Sequence, residues 1–474
     1  MNNMDDIEFI KKIETEFDVS SIKVDDTQIW PFLRIHYAFA YLNKYILDVP
    51  EQECISLSNK KNRLNNIFYG FTNLFRRYDY LIFSDTMELR LIDNKYFNKL
   101  AHSIIKFLGE NNTLLVENPA SGFHFKLSQR LNKNIISLDI FRFLCYFYPF
   151  KKRLLILNEN ILKQINSQYG LDIDYNSISN KFFVYTNIFK FYLKIYKPKL
   201  IFISSYYDTI YQSLIHASRT CGIKVIELQH GSIDSKHPAY NLFVDLDKSF
   251  FPEYLFVLGG NMNKIFTQNN YFIDKKNVFP TGNMYIDFIN NEYELPLEID
   301  SNFLEYRGIY NKIIAVSSQY TVEAELIEFL KESALLIPEV LFIFIPRDIT
   351  KDYSNYYFPK NIIIIKDLDV YQTIKYSDFH STVYSTCAIE APALGVPNIL
   401  INIKNESKKY YSEILSNPDV TRFVDTPEEF VKLIQTWGPK SKEEIKQLHE
   451  GFYAKNHKES LKKALDKIMN DTKL

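Results

Sequence analysis

Proton transfer needs a titratable group held at a fixed point, and Gln229-His230-Gly231 offers one directly after the apolar run 224–228. An imidazole at the carboxyl end of a strand can take a proton from a substrate hydroxyl as general base. Gly231 would let the chain turn sharply and a ligand approach closely. Asp234, Asp208 or Glu227 can orient the ring. The competing reading is a histidine hydrogen-bonded within its own loop. Three further segments suit an anion. Ser317-Ser318-Gln319 ends another apolar run with small hydroxyls and backbone amides able to face a phosphate. Ser385 or Thr386 should open a helix, placing unpaired amides where an anion binds. Glu390 lies about one turn further in, within reach of a ribose attached to that anion. Arg347, in Ile345-Pro346-Arg347-Asp348, can grip a phosphate through two parallel bonds. Finally, Gly282-Asn283 provides a tight turn after a run ending at Thr281, with amides free to face a ligand.

Each segment also has a plain structural reading. A Ser-Ser-Gln turn can merely start a helix. Gly282-Asn283 can be an ordinary turn, and Arg347 can pair with Asp348 at the surface. A glutamate early in a helix is favoured by the helix dipole alone, although neither Ser385 nor Thr386 stands three residues before Glu390, so a capping box does not explain it. Pro392 lacks the amide a helix interior needs, so that helix must be short or kinked. Asp-x-Asp occurs at 172–174, 245–247 and 367–369, but none follows a convincing strand, and these read as chance matches. GxGxxG, Walker, HExxH and GxSxG motifs are absent from the sequence, which removes the best support for dehydrogenase, ATPase, zinc-protease and α/β-hydrolase chemistry.

The elements that must position these residues alternate between short apolar runs and amphipathic stretches. Strands are predicted at 80–83, 113–116, 134–138, 199–204, 224–228, 254–258 and 277–281, with helices at 94–108 and 209–220. A polar, proline-punctuated stretch at 292–302 reads as a linker. The pattern then restarts with strands at 313–317, 340–345, 361–365 and 397–401, a helix at 322–336, and a Lys/Glu-rich helical tail at 443–469. The fold class is therefore α/β, with two Rossmann-like parallel-sheet domains and a ligand cleft between them. The expected boundaries are a helical extension at 1–60, a first domain at 61–290, a second at 303–440 and a C-terminal helix at 441–474.

Composition narrows the class further. The chain has 474 residues with 56 Lys+Arg against 57 Asp+Glu, a balance unlike that of a dedicated nucleic-acid binder. Cys54, Cys145, Cys221 and Cys387 are far apart, which argues against a disulfide scaffold or structural zinc site and favours a reducing cytoplasm. The acidic start is unlike a signal peptide, and no run reaches the roughly 18 apolar residues of a membrane span. Two stretches nevertheless suit a bilayer surface: the aromatic and basic segment 141–153, and a helix at 182–197 with a stripe of Asn187, Lys190, Lys194 and Lys197. For the second, a crossover helix buried against the sheet is the better reading. The expectation is a cytoplasmic protein with peripheral contact at the inner face of the membrane.

Taken together, these segments resemble the GT-B glycosyltransferases, and in particular bacterial capsule and surface polysaccharide biosynthesis proteins. The resemblance rests on Gln28-Ile-Trp-Pro-Phe-Leu-Arg34, Phe83-Ser-Asp-Thr-Met-Glu-Leu-Arg90, Gln229-His-Gly231, Thr281-Gly-Asn283 with Asp287, Ser317-Ser-Gln319, and Ser385-Thr386 followed by Glu390 and Gly395-Val-Pro397. It spans about residues 28–400. It implies transfer of a sugar or polyol phosphate from a nucleotide-activated donor to a glycan or lipid-linked glycan, with no cofactor beyond that co-substrate and no metal. Carried across, Ser317, Ser318, Gln319, Arg347, Ser385, Thr386 and Glu390 bind the donor. His230, with Asp234, acts as base, and Asp85 and Arg90 serve the acceptor. Relatives using CMP- or CDP-linked donors carry a basic-x-His-Pro string where this chain has Ile345-Pro-Arg-Asp348, so the donor is left open. A nucleotide-sugar 2-epimerase and a non-catalytic assembly scaffold are the rival readings.

Overall fold

The apolar runs form parallel sheets in both halves of the chain. The computed structural model describes residues 4–45, 60–92, 95–120, 122–149, 153–291, 297–347, 351–366 and 368–471. Its contacts divide the chain into two units, residues 1–281 with 461–474, and residues 282–460.

The first unit contains strands β1 (Tyr80–Asp85), β2 (Thr113–Asn118), β3 (Ile135–Ser137), β4 (Leu200–Ile203), β5 (Lys224–Leu228), β6 (Tyr254–Val257) and β7 (Val278–Pro280). They lie in the order β7-β6-β5-β4-β1-β2-β3, every pair parallel. Strands such as β4 are buried along their whole length, which is why they read as unbroken apolar runs. Residues Leu461, Leu465 and Ile468 of the helix His457–Asp471 complete a core cluster with Ile82, Phe202 and Phe256.

The second unit contains β8 (Lys312–Ser317), β9 (Val340–Ile345), β10 (Ile362–Ile364), β11 (Phe379–Thr382), β12 (Asn398–Ile401) and β13 (Thr421–Val424), all parallel, in the order β10-β9-β8-β11-β12-β13. In both sheets the strand order reverses beside the first strand, at β1/β4 and at β8/β11.

Several expectations need correcting. The helix expected at 94–108 is only His102–Leu108; Leu89–Ile92 and Lys95–Asn98 pair instead as an antiparallel hairpin. The 292–302 linker contains the start of the helix Leu297–Ile309, and residues 292–296 lie outside the described ones. The tail at 443–469 is two helices, Lys442–Leu448 and His457–Asp471, separated where Asn456 adopts φ 57°. Strand β11 was missed because Phe-His-Ser-Thr carries little apolar signal. Its polar groups are buried yet bonded: His380 Nε2 meets Ser317 Oγ at 2.9 Å, His380 Nδ1 meets Asn398 Oδ1 at 2.8 Å, and Ser381 Oγ donates to the Ile399 carbonyl at 2.6 Å. The helix Cys387–Ala393 is short, and the Ala388 carbonyl that Pro392 leaves without its usual donor accepts from Asn398 Nδ2 at 2.6 Å. The Asp-x-Asp matches resolve as helix caps, because Asp174, Asp247 and Asp369 accept from Ser177, Ser249 and Tyr371 backbone N–H groups; Asp367 lies outside the described residues.

The N-terminal segment, expected as a separate extension over 1–60, is bonded into the first unit over its described residues 4–45. Arg34 Nε meets Glu14 Oε1 at 2.7 Å, both side chains fully buried. Arg34 also donates to the carbonyls of Pro238 (2.6 Å) and Asn241 (2.8 Å), while Glu14 accepts from Trp30 Nε1 (3.1 Å) and the Phe243 N–H (3.0 Å). A buried pair satisfied on both sides tolerates loss of one partner badly. Nearby, Glu227 on β5 accepts from Tyr240 OH at 2.9 Å and the Tyr206 N–H at 3.2 Å. Its Oε2 is buried without a partner among the described residues, and burial pushes the acid up to about 8. The folded protein therefore holds this carboxyl protonated near neutrality.

Two stability outcomes follow. Arg34→Ala should lower the unfolding free energy in urea by about 3–5 kcal/mol; a loss under about 1 kcal/mol would show that the pair is dispensable. Glu227 binds its proton more tightly folded than unfolded, so its contribution declines as pH rises from its ordinary value of 4.5 to about 8. Glu227→Gln should thus gain melting temperature over the parent progressively across that window, by about 5 °C at the alkaline end, and a pH-independent difference would contradict a neutral acid.

Candidate functional site

In open parallel sheets, ligands bind beyond the carboxyl ends of the strands where the strand order reverses. In the first unit that point lies between β1 and β4. Asp85 ends β1 and caps the next turn by accepting from the Met87 N–H at 2.8 Å. Burial first, then the nearby Glu88 and Glu117 charges, push its carboxyl up to about 6. Beyond β4, Tyr207 OH meets His230 Nε2 at 3.1 Å, and His230 follows β5. Burial lowers the His230 pKa and Lys99 adds to this, while Glu88 opposes it. The ring is therefore neutral at physiological pH, the form a general base requires. Its Nδ1 is buried without a well-formed partner among the described residues.

The groups expected to orient His230 do other work. Asp208 caps the helix Thr209–Thr220 through the Ile210 N–H. Glu227 is bonded to Tyr206 and Tyr240, and Asp234 Oδ1 accepts from the Lys236 N–H at 2.8 Å. Gly231 has no positive φ and open space where a Cβ would sit, so the turn itself does not require glycine. Gln229 ties the strand ends together, accepting from the Leu258 N–H and donating to the Gly231 carbonyl, both at 2.8 Å. Arg90 donates to the Met87 and Leu89 carbonyls at 3.0 and 2.7 Å, bracing its own hairpin.

Residues that sequence reasoning did not single out complete this edge. Glu88 lies 3.4 Å from Lys99, and although burial would raise its pKa, Lys99 and Arg90 hold it below the usual range. Glu117, at the carboxyl end of β2, takes a bidentate pair from Arg130 at 2.7 and 2.6 Å and meets His124 Nδ1 at 3.0 Å. Glu88 sat inside the string 83–90, and Tyr207 fell between the strand expected at 199–204 and the helix expected at 209–220. Their signal was position just past a strand end, which spacing alone does not distinguish from a loop.

In the second unit, the reversal lies between β8 and β11, and Thr382 Oγ1 donates to the Ser317 carbonyl at 2.8 Å to tie these strand ends. Ser317 Oγ is turned to the buried His380, and Ser318 Oγ donates to Glu323, which pairs with Lys351 at 2.5 Å. Both hydroxyls are thus engaged within the fold. What stays open is backbone. The N–H groups of Gln319, Ser385 and Thr386 have no acceptor among the described residues, whereas the Cys387 N–H is taken by Ser385 Oγ at 3.3 Å. Glu390 is 5% exposed, and its Oε1 accepts from Tyr371 OH at 2.7 Å while Oε2 is left without a well-formed partner. The carboxylate is therefore an interior group anchored on one oxygen. Arg347 is exposed past β9, and Asp348 lies outside the described residues. The Gly282-Asn283 turn faces protein: Gly282 has φ +71°, a Cβ there would fall 2.5 Å from the Ala454 carbonyl oxygen, and Asn283 Oδ1 accepts from the Tyr285 N–H. Among the described residues, no group of three or more His, Cys, Asp or Glu is placed to hold a metal ion.

No family model and no curated protein matches the sequence. Solved structures do. The kitacinnamycin glycosyltransferase aligns at a TM-score of 0.50 with 12% identity, covering 83% of this chain and 99% of that one. The calicheamicin glycosyltransferase gives 0.49 with 9% identity over 83% and 98%. The UDP-GlcNAc 2-epimerase of Neisseria meningitidis, solved with UDP-GlcNAc, gives 0.47 with 15% identity over 82% and 99%. At such identities the likeness is one of fold, and with two parallel α/β sheets in one chain the fold class is GT-B.

Proposed function

We propose that this chain is a glycosyltransferase moving a sugar, or a polyol phosphate, from a nucleotide-activated donor to a bacterial capsule or other surface glycan. The observation that carries the reading is the pair of backbone N–H groups at Ser385 and Thr386 that have no acceptor among the described residues, at the strand-order reversal of the second sheet. Adjacent amides of this kind hold phosphate oxygens without a protein counter-charge. In this reading, they and the Gln319 N–H receive the donor phosphates, with Arg347 adding positive charge. Glu390, held by Tyr371 with the buried Tyr453 hydroxyl beside it, is an interior carboxylate and not the ribose-facing group the sequence suggested; in this reading it braces the amide seat from within the fold. The first unit supplies the base. His230 takes the proton of the acceptor hydroxyl as that oxygen attacks the anomeric carbon of a sugar donor, or the polyol-bearing phosphorus of a polyol-phosphate donor, and the bond from that centre to the departing nucleoside phosphate breaks. The amides then stabilise the departing charge. Tyr207 holds the ring in place, and Asp85, poised near pH 6, is the acceptor-side group able to exchange a proton or bind a hydroxyl.

The test is a nucleotide-sugar panel with lipid-linked glycan as acceptor, read by mass spectrometry. Acceptor-dependent release of nucleotide is expected. A 2-epimerised product from UDP-N-acetylglucosamine alone would replace the transferase reading, and failure to bind CMP, CDP, UDP or GDP in calorimetry would leave a scaffold. His230→Ala should lower turnover by about 10²–10⁴-fold with nucleotide affinity nearly intact; unchanged turnover would remove it as base. Glu390→Gln should weaken nucleotide binding about tenfold, and an unchanged Kd would exclude it from supporting the donor seat.

A further inference from the structure

We propose that a cavity at the amino edge of the first sheet binds an oligosaccharide, at a site separate from the edge that carries Asp85 and His230. The cavity has a volume of about 850 Å³, toward the top of the roughly 300–1,000 Å³ range of small-molecule sites. Its position follows from the topology. Arg219 lies in the last turn of the helix Thr209–Thr220, Lys224 opens β5, Glu253 immediately precedes β6, and Asn277 immediately precedes β7; all four line the cavity. Reacting groups in parallel sheets gather at the opposite, carboxyl ends. The strand β5 alone, from Lys224 to Leu228, puts about 13 Å between this cavity and the approach to His230.

Most charged groups of the wall are spent on one another. Arg219 pairs with Glu253, Lys248 pairs with Asp245 at 3.0 Å, and Lys224 Nζ donates to Tyr254 OH at 3.1 Å. The groups left over are mainly neutral. Thr267 and Gln268 are exposed and Asn277 is half-buried, and their side chains make no hydrogen bond among the described residues. One hydroxyl and two amides offer donors and acceptors together, the combination that sugar hydroxyls, themselves both, require. Tyr271 adds ring surface: it is 40% exposed, and Lys248 anchors it, donating to its carbonyl and lying 5.9 Å from the ring centroid. Phe251, Phe266 and Phe272 reach the cavity but are almost wholly buried, so the wall shows little of the apolar area that a drug-like ligand needs. Lys275 has no ion-pair partner among the described residues and admits an acidic sugar as well as a neutral one. The volume exceeds that of a single sugar ring, which makes the ligand a chain. The inference does not rest on the transferase reading, since it concerns binding alone and uses no residue of that mechanism.

Titration of the full chain with cellohexaose, chitohexaose and hexagalacturonate, without nucleotide, tests it. At least one should bind with a Kd of about 1 mM or tighter. Hydrogen–deuterium exchange of the parent chain should then show protection by that hexasaccharide at residues 266–277. Gln268→Ala with Asn277→Ala should weaken the binding about tenfold, with circular dichroism matching the parent. Binding of none of the three, protection confined to residues 85–90 and 229–231, or an affinity unchanged by the double substitution would overturn the proposal, each readable whether or not the chain transfers sugars.

Discussion

The Glu14–Arg34 pair is the constraint on which the first unit's site depends. Two charges fully removed from water persist only when every polar atom is met, and the groups meeting them are the Trp30 indole, the Phe243 N–H and the Pro238 and Asn241 carbonyls. The N-terminal helices are thereby fastened to the return loop that follows His230. That loop in turn carries the Ala239 carbonyl, bonded to Tyr206 OH, and Tyr240, bonded to Glu227. The dry setting that keeps the His230 ring neutral and the Glu227 carboxyl protonated comes from this closure. A motif near residue 30 and a histidine two hundred residues later are parts of one device.

The two sheets share a plan but use it differently. Both reverse strand order beside their first strand, and both gather polar residues there. In the first unit the groups gathered there are side chains, Asp85 and His230 with Tyr207. In the second, Ser317 and His380 are consumed in bonding the strand ends and Ser318 in holding Glu323, and the donors left without an acceptor among the described residues include the Gln319, Ser385 and Thr386 amides. Side chains with shifted proton affinities suit proton transfer, and rigid amides suit holding an anion whose charge must not be neutralised by a proton.

Much of the architecture was legible because buried parallel strands must be apolar on both faces. The helix 209–220 and the strands 224–228 and 340–345 stand where the sequence put them. β11 was illegible for a physical reason: its polarity is cancelled by partners on β8 and β12, which no local window contains. The hairpin at 89–98 fails similarly, since its pairing rather than its composition decides its state. For the site, residue positions were readable but partners were not. His230 was visible at a strand end, yet its companion is Tyr207, not Asp208, Glu227 or Asp234. Gly282 looked like a ligand turn, and what presses on it is the Ala454 backbone.

The helix His457–Asp471 has a last consequence. Its residues from 461 onward seal the cluster containing Ile82, Leu115, Phe202 and Phe256. A chain emerging from the ribosome therefore cannot finish its first sheet when that sheet's strands are made; an oily face stays uncovered until residues 461–468 arrive, some 180 positions after Pro280 ends the last of those strands. Vectorial synthesis thus leaves the leading half waiting on the trailing one, and a message broken anywhere beyond the first sheet yields a sticky fragment rather than a self-sufficient domain.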